Sequence, residues 1–251
     1  MADRIDFFSK FGINLKVVFE DNDFLIIEKP AGLLVHSTKY SQEKTLVDLI
    51  LFAYPEIKVV GQSGREGIVH RLDRNVSGLM VIARSLKMYD SLINQFQQSR
   101  VKKEYIAFVY NFLSLDRGRI ENFLARNKKG KIIALSEGYR DKIKMKRSAV
   151  TEYEIIKKYF KPRKMSLLKL RPLTGRTHQL RIHLKTIGCP IVGDKEYGIK
   201  NSEIEQFIEP NRIMLHAGYL GFYNLENIWK EFRIDLPEEF KIILKEFEEN
   251  E

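Results

Sequence analysis

Residues 68–83 read IVHRLDRNVSGLMVIA, in which two apolar arms enclose a polar centre. Apolar runs of this kind are typical of buried strands, so the stretch predicts a strand, an exposed loop and a second strand. The loop would present Asp73 between Arg71 and Arg74. Because guanidinium groups favour the ionised form of a nearby carboxyl group, Asp73 is expected to be a carboxylate at neutral pH. Such a group suits a nucleophile or an electrostatic anchor, and a surface ion pair is the simpler alternative.

Strand and helix patterns alternate irregularly along the rest of the chain. Strands are predicted by DFLIIEK, KKEYIAFVY, AVTEYEIIKKY and SLLKLRPL, at residues 23–29, 102–110, 149–159 and 166–173. Helices are predicted at residues 45–54, 86–100, 177–188 and 237–251, and a threonine, Thr174 or Thr177, is expected near the start of the third. The hairpin-like spacing of the strands favours an α+β fold with a largely antiparallel mixed sheet, flanked by helices and loops.

The composition limits the cellular setting of the protein. At 251 residues and 44% hydrophobic content, the chain is long enough to bury a core, and it suits one large domain or two small ones. No apolar run reaches the roughly 20 residues of a membrane helix, and the start, MADRIDFFSKFG, lacks the apolar region of a signal peptide. Cys189 is the only cysteine, which suits a reducing compartment. We therefore predict a cytoplasmic protein, and we expect it to be a monomer.

The positive charge is concentrated in one segment. Residues 126–164 contain fourteen Lys and Arg and four Asp and Glu, so this segment accounts for the whole formal net charge of +10. Aromatic residues lie among the cations, and a surface with both features suits phosphate groups and unstacked bases. A solvated charged face is the alternative, and charge alone does not separate the two.

Histidines raise the question of a metal site. His178 and His183 are five residues apart, which places them on different faces of the predicted helix. The chain has neither a cysteine pair nor an HExxH pattern to complete a zinc site. The sequence therefore predicts no metal site, and the histidines are interpreted as core residues, hydrogen-bonded parts of a site, or contacts to a bound partner.

Six motifs together resemble a known family. HRLDRNVSGLMV resembles the signature of the RluA-type RNA pseudouridine synthases. Further motifs keep the order and rough spacing of that family, namely KPAGLLVH, KKEYIAFVY, LRPLTGRTHQLRIH, GDKEYG and RIMLHAGYLGF, and together they extend from about residue 17 to residue 222. The resemblance implies the pseudouridine synthase fold and the isomerisation of uridine to pseudouridine in transfer RNA or ribosomal RNA, without a cofactor or a metal.

The resemblance implies catalytic roles for three residues. Asp73 takes the place of the catalytic aspartate. Tyr105 matches the tyrosine that lies against the base and has been considered for proton removal from carbon 5, although an ordinary sheet tyrosine is the alternative. Arg181 matches the basic residue that pairs with the catalytic aspartate, and an exposed helical arginine is the alternative.

Substrate contacts are expected from five further residues. Arg74, which follows the aspartate, is associated with the rearranged site when the target nucleotide is flipped out of the RNA. Leu215 is expected in the apolar wall of the uracil pocket, although most leucines are simply core residues. His70, Arg71 and Arg176 complete the predicted substrate-binding set.

Two other functions remain open at this point. One is an RNA-binding ribosome or transfer RNA assembly factor that keeps the fold with little activity, and the presence of Asp73, Tyr105 and Arg181 argues against it. The other is a hydrolase of glycosidic bonds, which would typically use a pair of carboxylates, and no second carboxylate lies near Asp73 in sequence. With the resemblance, a single catalytic domain over residues 1–251 is expected, without a separate N-terminal RNA-binding domain, so RNA binding is assigned to this domain and to residues 126–164.

Overall fold

The computed structural model describes residues 12–13, 15–37, 43–135, 145–199 and 212–250. The chain forms two compact units, each built from two separate stretches of sequence. The first unit contains Met1–Lys102 and Ala217–Ile234, and the second contains Lys103–His216 and Asp235–Glu251.

The first unit carries a sheet of strands in the order β1-β2-β5-β11-β12. β2 and β5 are antiparallel, and nearly every residue of both is buried, which explains why both read as continuous apolar runs. The predicted strand at residues 23–29 is confirmed as β2. The bounds are β1 Lys16–Glu20, β2 Phe24–Lys29, β5 Ser77–Ala83, β11 Leu215–Tyr223, which starts in the second unit, and β12 Trp229–Arg233.

Two helices of the first unit follow the predictions at residues 45–54 and 86–100. α1 (Leu46–Ala53) begins with a capping box in which the side chains of Thr45 and Asp48 each bond the backbone of the other. α2 (Leu86–Gln97) is capped by the Ser85 hydroxyl, which accepts from the Met88 N–H. Between the helices lie a 3₁₀ turn and a small hairpin, at Pro55–Val59, Gly61–Gln62 (β3) and Arg65–Glu66 (β4).

The prediction for residues 68–83 is half confirmed. The second arm is β5, whereas the first arm is not a strand, and only Ile68 makes a bridge, to Ile82. The reason is that the Val81 N–H donates to the His70 side chain, at 3.0 Å, where a paired strand would offer a backbone carbonyl. Gly78 is required at the start of β5, because its φ is +128° and an added Cβ would stand 2.3 Å from the Ala217 carbonyl oxygen.

The second unit carries a sheet in the order β6-β10-β9-β7-β8, in which every neighbouring pair is antiparallel. The predicted strands at residues 102–110, 149–159 and 166–173 are confirmed. The α+β fold with a largely antiparallel sheet is confirmed with them. The bounds are β6 Lys102–Tyr110, β7 Arg117–Arg126, β8 Ile132–Leu135, β9 Arg147–Tyr159 and β10 Met165–Pro172.

The helices of the second unit cover its sheet. α3 (Gln179–Thr186) packs Ile182 against Leu124 of β7 and Ala149 of β9. α4 (Glu238–Glu249) buries a stripe of apolar residues, and its Phe247 ring lies 5.2 Å from that of Phe108. Both predicted helices are therefore present, and α3 is shorter than the predicted 177–188.

The start of α3 differs from the expectation of a threonine cap. His178 occupies the cap position in the left-handed conformation, with φ of +54°, and its side chain does not bond the helix. The Thr174 hydroxyl instead donates to the Gln179 side chain, at 2.7 Å. The loop before α3 is thus held by side chains of the helix itself, a tertiary arrangement that spacing rules do not anticipate.

Two further findings bear on the composition. No helix among the described residues is long and apolar enough to cross a membrane. Cys189 is buried, and burial raises the pKa of its thiol to about 11, so it is a packing residue and not a nucleophile.

Buried histidines should make the second unit sensitive to acid. His183 and His216 are fully buried, and burial lowers the pKa of each imidazole to about 4, with Arg212 adding to the shift at His216. In the unfolded chain the pKa is about 6.5, so the unfolded state binds more protons between those values. The free energy of unfolding is therefore expected to fall as the pH drops from about 6.5 to 4, by about 3 kcal/mol for each histidine.

Urea unfolding at pH 7.0, 5.5 and 4.5 tests this expectation. Because carboxylates also titrate near pH 4, the comparison that isolates one imidazole is His183→Gln against Lys185→Gln on the exposed side of the same helix. The first variant should lose less stability than the second on acidification. Parallel curves for the two variants would show that His183 is not the group that takes up the proton.

Candidate active site

The predicted site residues form two sets, one in each unit. In the first unit, His70, Arg71, Asp73 and Arg74 lie on the loop that precedes β5, as predicted. In the second unit, the set is distributed over β6, α3 with its preceding loop, and the start of β11, and it comprises Tyr105, Arg176, Arg181 and Leu215.

A buried lysine fixes the backbone of the Asp73 loop. Lys29, the last residue of β2, is 0% exposed, and its ammonium donates to three backbone carbonyls. The acceptors are Pro30 and Leu33, both at 2.8 Å, and Arg74, at 3.0 Å. Because Arg74 follows Asp73 directly, this contact restrains the backbone that carries the carboxylate. Sequence reasoning missed Lys29, since a lysine at the end of a strand usually points to solvent.

Removing this ammonium should be strongly destabilising. Lys29→Met is expected to lower the free energy of unfolding by about 3 kcal/mol, because buried carbonyls lose their donor. Urea unfolding measures the effect. Lys16→Met is the matched control, since the Lys16 side chain is 60% exposed and its contact with Glu28 is long, at 3.9 Å. Equal stability of the two variants would contradict the bracing role of Lys29.

The arginines beside Asp73 reach different surroundings. The Arg74 Nη2 lies 2.7 Å from the Glu43 carboxylate, in a pair whose side chains are about half exposed. Exposed pairs of this kind contribute roughly 0–1 kcal/mol, so the Glu43 contact holds Arg74 only weakly. The Arg74 Nε also donates to the Gly32 carbonyl at 3.0 Å. Arg71 is exposed, and its charge reaches His36, whose pKa is lowered by burial first and then by Arg65 and Arg71.

His70 links the loop to its supporting strand and helix. Its Nε2 accepts the Val81 N–H of β5 at 3.0 Å, and its ring stacks on Phe96 of α2 with 4.8 Å between centroids. An acceptor Nε2 requires the tautomer that carries its proton on Nδ1. These contacts orient the chain that enters the Asp73 loop, and the expected RNA contact of His70 stays a prediction.

Tyr105 belongs to a row of residues that crosses the sheet of the second unit. It pairs with Leu170 of β10, which pairs with Tyr153 of β9, which pairs with Gly118 of β7. Directly paired residues lie on the same face, so the two tyrosines face the same side. A Cβ at Gly118 would stand 2.5 Å from the Tyr153 hydroxyl, which shows that the Tyr153 side chain lies over this glycine.

Lys103 adds a cation on the Tyr105 side of β6. Residues two apart in a strand face the same way, and burial lowers the pKa of the Lys103 ammonium to about 8. Its Nζ lies 3.8 Å from the point where a Cβ on Gly175 would stand, so the ammonium is against the loop before α3. The run KKE gave no signal of this, because such runs are usually solvated.

Arg181 is held by a buried carboxylate. Its Nε and Nη2 donate to the two oxygens of Asp194, at 2.7 and 2.8 Å, and the two side chains are 7% and 1% exposed. Asp194 also accepts the backbone N–H groups of Glu196 and Tyr197, both at 3.0 Å. Burial raises the pKa of Asp194, but the Arg181 contact and the two backbone donors together bring it below its usual range. The pair is therefore a salt bridge with a fixed, bidentate geometry.

The alternative of an exposed helical arginine is therefore wrong. The Arg181 guanidinium also lies 4.8 Å from the Tyr197 ring centroid and 3.3 Å from the Glu196 carboxylate. The three residues around it all come from the motif GDKEYG, which sequence reasoning matched without assigning a role to any of its members. That motif was the available signal for Asp194.

Side chains also fix the loop before α3. The Arg176 Nε donates to the Ser148 carbonyl of β9, and its backbone N–H donates to the Gln179 side chain, both at 3.0 Å. Gln179 is buried and donates in turn to the Val150 carbonyl, at 2.9 Å. The loop that presents Arg176 is therefore attached to β9 at two points.

Leu215, the first residue of β11, is 3% exposed. Its N–H donates to the Ile213 carbonyl at 2.7 Å, and the next residue, His216, is fully buried. A buried leucine fits both a core position and the wall of a closed apolar pocket. Its place in a uracil pocket stays a prediction.

The described part of the basic segment 126–164 contains two groups of cations within the second unit. One surface, here called the proximal cluster, surrounds the β7–β8 turn and the start of β9. Lys131 of this cluster donates to the Glu196 carbonyl at 2.8 Å, and its Nζ lies 4.5 Å from the Tyr197 ring centroid. The cluster thus reaches the surroundings of Arg181. Its members are Arg126, Lys128, Lys129, Lys131, Lys146 and Arg147.

The other surface is the β9–β10 turn, which contains Lys161, Arg163 and Lys164. β9 is thirteen residues long, so this turn is roughly 40 Å from the proximal cluster at about 3.3 Å per residue. Residues 136–144 of the basic segment lie outside the described residues. Among the described residues of the segment, these two groups of cations therefore lie at opposite ends of β9.

Within the described ranges, no three side chains of His, Cys, Asp or Glu gather as metal ligands. The expected absence of a metal and of a cofactor stays a prediction.

A comparison with known families decides what this scaffold belongs to. The family model described as RNA pseudouridylate synthase matches residues 23–186, which is more than half of the chain. The chain belongs to the RNA pseudouridylate synthase family. Members of this family are isomerases that act on RNA, so the predicted family, fold and enzyme class are confirmed. The match includes Asp73, Tyr105 and Arg181.

Relatives of this family member extend over most of its length. It is 36% identical over 246 residues to an uncharacterized RNA pseudouridine synthase of Aquifex aeolicus, covering 95% of this chain and 74% of the relative. It is 32% identical over 249 residues to the ribosomal large subunit pseudouridine synthase D of Borreliella burgdorferi, covering 98% and 72%. Both matches continue well beyond residue 186.

Solved structures show the same fold. The human RNA pseudouridylate synthase domain containing 1 superposes with a TM-score of 0.71 and 26% identity, covering 89% of this chain and 84% of that one. The human domain containing 4 gives a TM-score of 0.72 over 99% and 98% of the two chains, at 23% identity, which is informative about the fold alone.

Proposed function

We propose that this chain isomerises specific uridines of ribosomal RNA to pseudouridine, with Asp73 as the catalytic carboxylate. The observation that carries the proposal is the Asp73 loop. A family signature is folded there as a loop next to a buried strand, and Lys29 restrains its backbone through the Arg74 carbonyl. Ribosomal RNA is proposed because several relatives that match most of this chain are named large subunit pseudouridine synthase D.

The reaction rearranges bonds without any net gain or loss of atoms. The bond between ribose carbon 1′ and uracil N1 breaks, the base turns, and a bond from carbon 1′ to carbon 5 forms. The proton on carbon 5 leaves and N1 regains one. Asp73 is proposed to act on the detaching nucleoside as a charged group, and Tyr105 to serve the proton transfer at carbon 5. Arg181 is proposed as the basic residue of the site, and Asp194 is proposed to orient its guanidinium group.

RNA binding is proposed to use cations of both units. The base must be extruded from the RNA before it can react, and Arg74, Arg71 and His70 are proposed to contact the opened RNA. Arg176 and the proximal cluster are proposed to bind phosphates, since the cluster reaches the surroundings of Arg181. Leu215 is proposed to contact the uracil. One catalytic domain, acting as a monomer in the cytoplasm, fits this proposal.

Site mapping tests the substrate class. Unmodified large subunit ribosomal RNA and bulk transfer RNA are incubated with the protein, and pseudouridine is located by carbodiimide labelling and primer extension. We expect product at few positions of the ribosomal RNA. Product in transfer RNA alone would overturn the ribosomal assignment. Binding without product in either RNA would favour the RNA-binding assembly factor. The relatives, which are named as synthases, do not favour that alternative.

A further inference from the structure

We propose that the β9–β10 turn is a second RNA-contact surface, at which Phe160 stacks an unpaired base and neighbouring cations bind its phosphates. This surface, here called the distal tip, consists of residues 160–164 together with Phe112. The proposal rests on the proposed function, because it takes the substrate to be RNA. It deepens that function by assigning an RNA contact in the second unit that is separate from Arg176 and the proximal cluster.

The aromatic part of the distal tip is exposed and preformed. Phe160 is 63% exposed, although phenylalanine is a residue that usually becomes buried. Its ring packs edge-to-face on Phe112, with 4.9 Å between centroids and 68° between planes. A ring held by a second ring presents a fixed flat surface, and every base has a face that stacks on such a surface.

Cations surround these rings. Lys164 Nζ lies 5.9 Å from the Phe112 centroid, and the Arg163 guanidinium carbon lies 5.7 Å from the centroid of the neighbouring Tyr110. By contrast, the lysines further back along β9 pair with carboxylates, Lys157 with Glu248 at 2.9 Å and Lys158 with Asp116 at 2.8 Å. At the tip, by comparison, Arg163 and Lys164 lie near the rings of Tyr110 and Phe112.

Aromatic rings mixed with Lys and Arg are the surface that single-stranded nucleic acid selects. The rings stack bases without regard to sequence, and the cations follow the backbone. An RNA partner therefore satisfies both halves of the distal tip at once.

The position of the tip defines the kind of RNA. Ser148 of β9 accepts the Arg176 side chain, and Phe160 is twelve residues further along, which is roughly 40 Å of extended strand. A stem-loop much shorter than this distance, bound at Arg176 and the proximal cluster, would not extend to the tip. An RNA long enough to extend over both regions, with an unpaired base near its far end, is the ligand that the tip fits.

Direct binding measurements on two RNAs test the proposal. Filter binding gives Kd for a long ribosomal RNA fragment and for a short stem-loop that contains the modified position. Phe160→Ala should weaken binding of the long RNA about tenfold and leave the stem-loop Kd and its turnover unchanged. Phe160→Tyr should restore binding, because it keeps the ring. Phe52→Ala is the matched control, since Phe52 is 59% exposed on α1 of the first unit.

A charge variant tests the cations separately. Arg163→Gln with Lys164→Gln should lower the salt dependence of log Kd for the long RNA by about 1.4, which is roughly 0.7 for each phosphate contact on single-stranded RNA. The slope for the stem-loop should not change.

Each outcome has a defined reading. Unchanged long-RNA affinity in the Phe160 and charge variants would overturn RNA as the occupant and leave a protein partner in its place. Equal weakening of the long RNA and the stem-loop would overturn the remote location. If the wild-type protein neither bound nor modified either RNA, the proposed function and the distal-tip proposal would both be wrong. If only the distal-tip proposal is wrong, the wild type still modifies RNA, and the tip variants bind the long RNA as the wild type does.

Discussion

Asp73→Asn is expected to abolish pseudouridine formation while RNA affinity stays within a few-fold of the wild-type value. The substitution keeps the size of the side chain and removes its negative charge, which is the property that the proposed chemistry requires. A fall in kcat on the order of 10⁴-fold or more is the usual consequence of losing such a group. The loop should keep its place, because Lys29 bonds the backbone of Arg74 and not the Asp73 side chain.

Single-turnover kinetics with enzyme in excess over RNA, together with filter binding, separates the two parts of this expectation. Asp90→Asn, on the exposed face of α2 in the same unit, is the matched control and should behave as the wild type. Substantial turnover by Asp73→Asn would remove the carboxylate from the chemistry. A parallel loss of RNA binding and turnover would instead make Asp73 a binding residue.

Asp194→Asn should combine a large loss of stability with a large loss of turnover. The substitution leaves the buried Arg181 guanidinium without its bidentate anion, and breaking a buried pair in this way lowers the free energy of unfolding by about 3–5 kcal/mol. Turnover should fall because Arg181 is no longer held in one orientation. Glu248→Gln, which breaks the exposed pair with Lys157, is the control and should change stability by about 0.5 kcal/mol or less.

A double variant keeps this prediction testable if the single variant folds poorly. Arg181→Met combined with Asp194→Leu replaces the pair by apolar side chains, which is often neutral or stabilising. We expect urea unfolding to show recovery of stability over Asp194→Asn, and turnover to remain lost. Recovery of both properties would show that the pair has only a structural role. Wild-type turnover in Asp194→Asn would exclude Asp194 as the residue that orients Arg181.

Much of the fold follows from local patterns. The almost completely buried β2 and β5 read as apolar runs, and three strands of the second unit, β6, β9 and β10, lie where their sequence patterns predict them. Where the fold departs from these predictions, contacts between residues of different elements explain the difference. Residues 68–70 resemble a strand, but the His70 side chain takes the Val81 N–H that would pair a strand. His178 begins α3 in the left-handed conformation because side chains hold the preceding loop, which no capping rule describes.

The candidate site was predictable as a set of motifs and not as a set of contacts. Resemblance identified Asp73, Tyr105 and Arg181, because their neighbours in sequence keep the pattern of the family. Lys29 and Asp194 were missed because charged residues are expected at the surface, whereas both are buried. Lys29 bonds the Arg74 carbonyl far along the chain, and Asp194 bonds Arg181, which belongs to another motif. The long-range contacts of such residues depend on the completed fold, which periodicity does not encode.

Tritium release tests the central claim most directly. Large subunit ribosomal RNA is transcribed with tritium at carbon 5 of uridine and incubated with the wild-type protein and with Asp73→Asn. Formation of pseudouridine replaces that hydrogen, so we predict release by the wild type and none by the variant. Release by both proteins would contradict the role of Asp73, and no release by the wild type, with the RNA shown to be folded and bound, would contradict the assignment of synthase activity on ribosomal RNA.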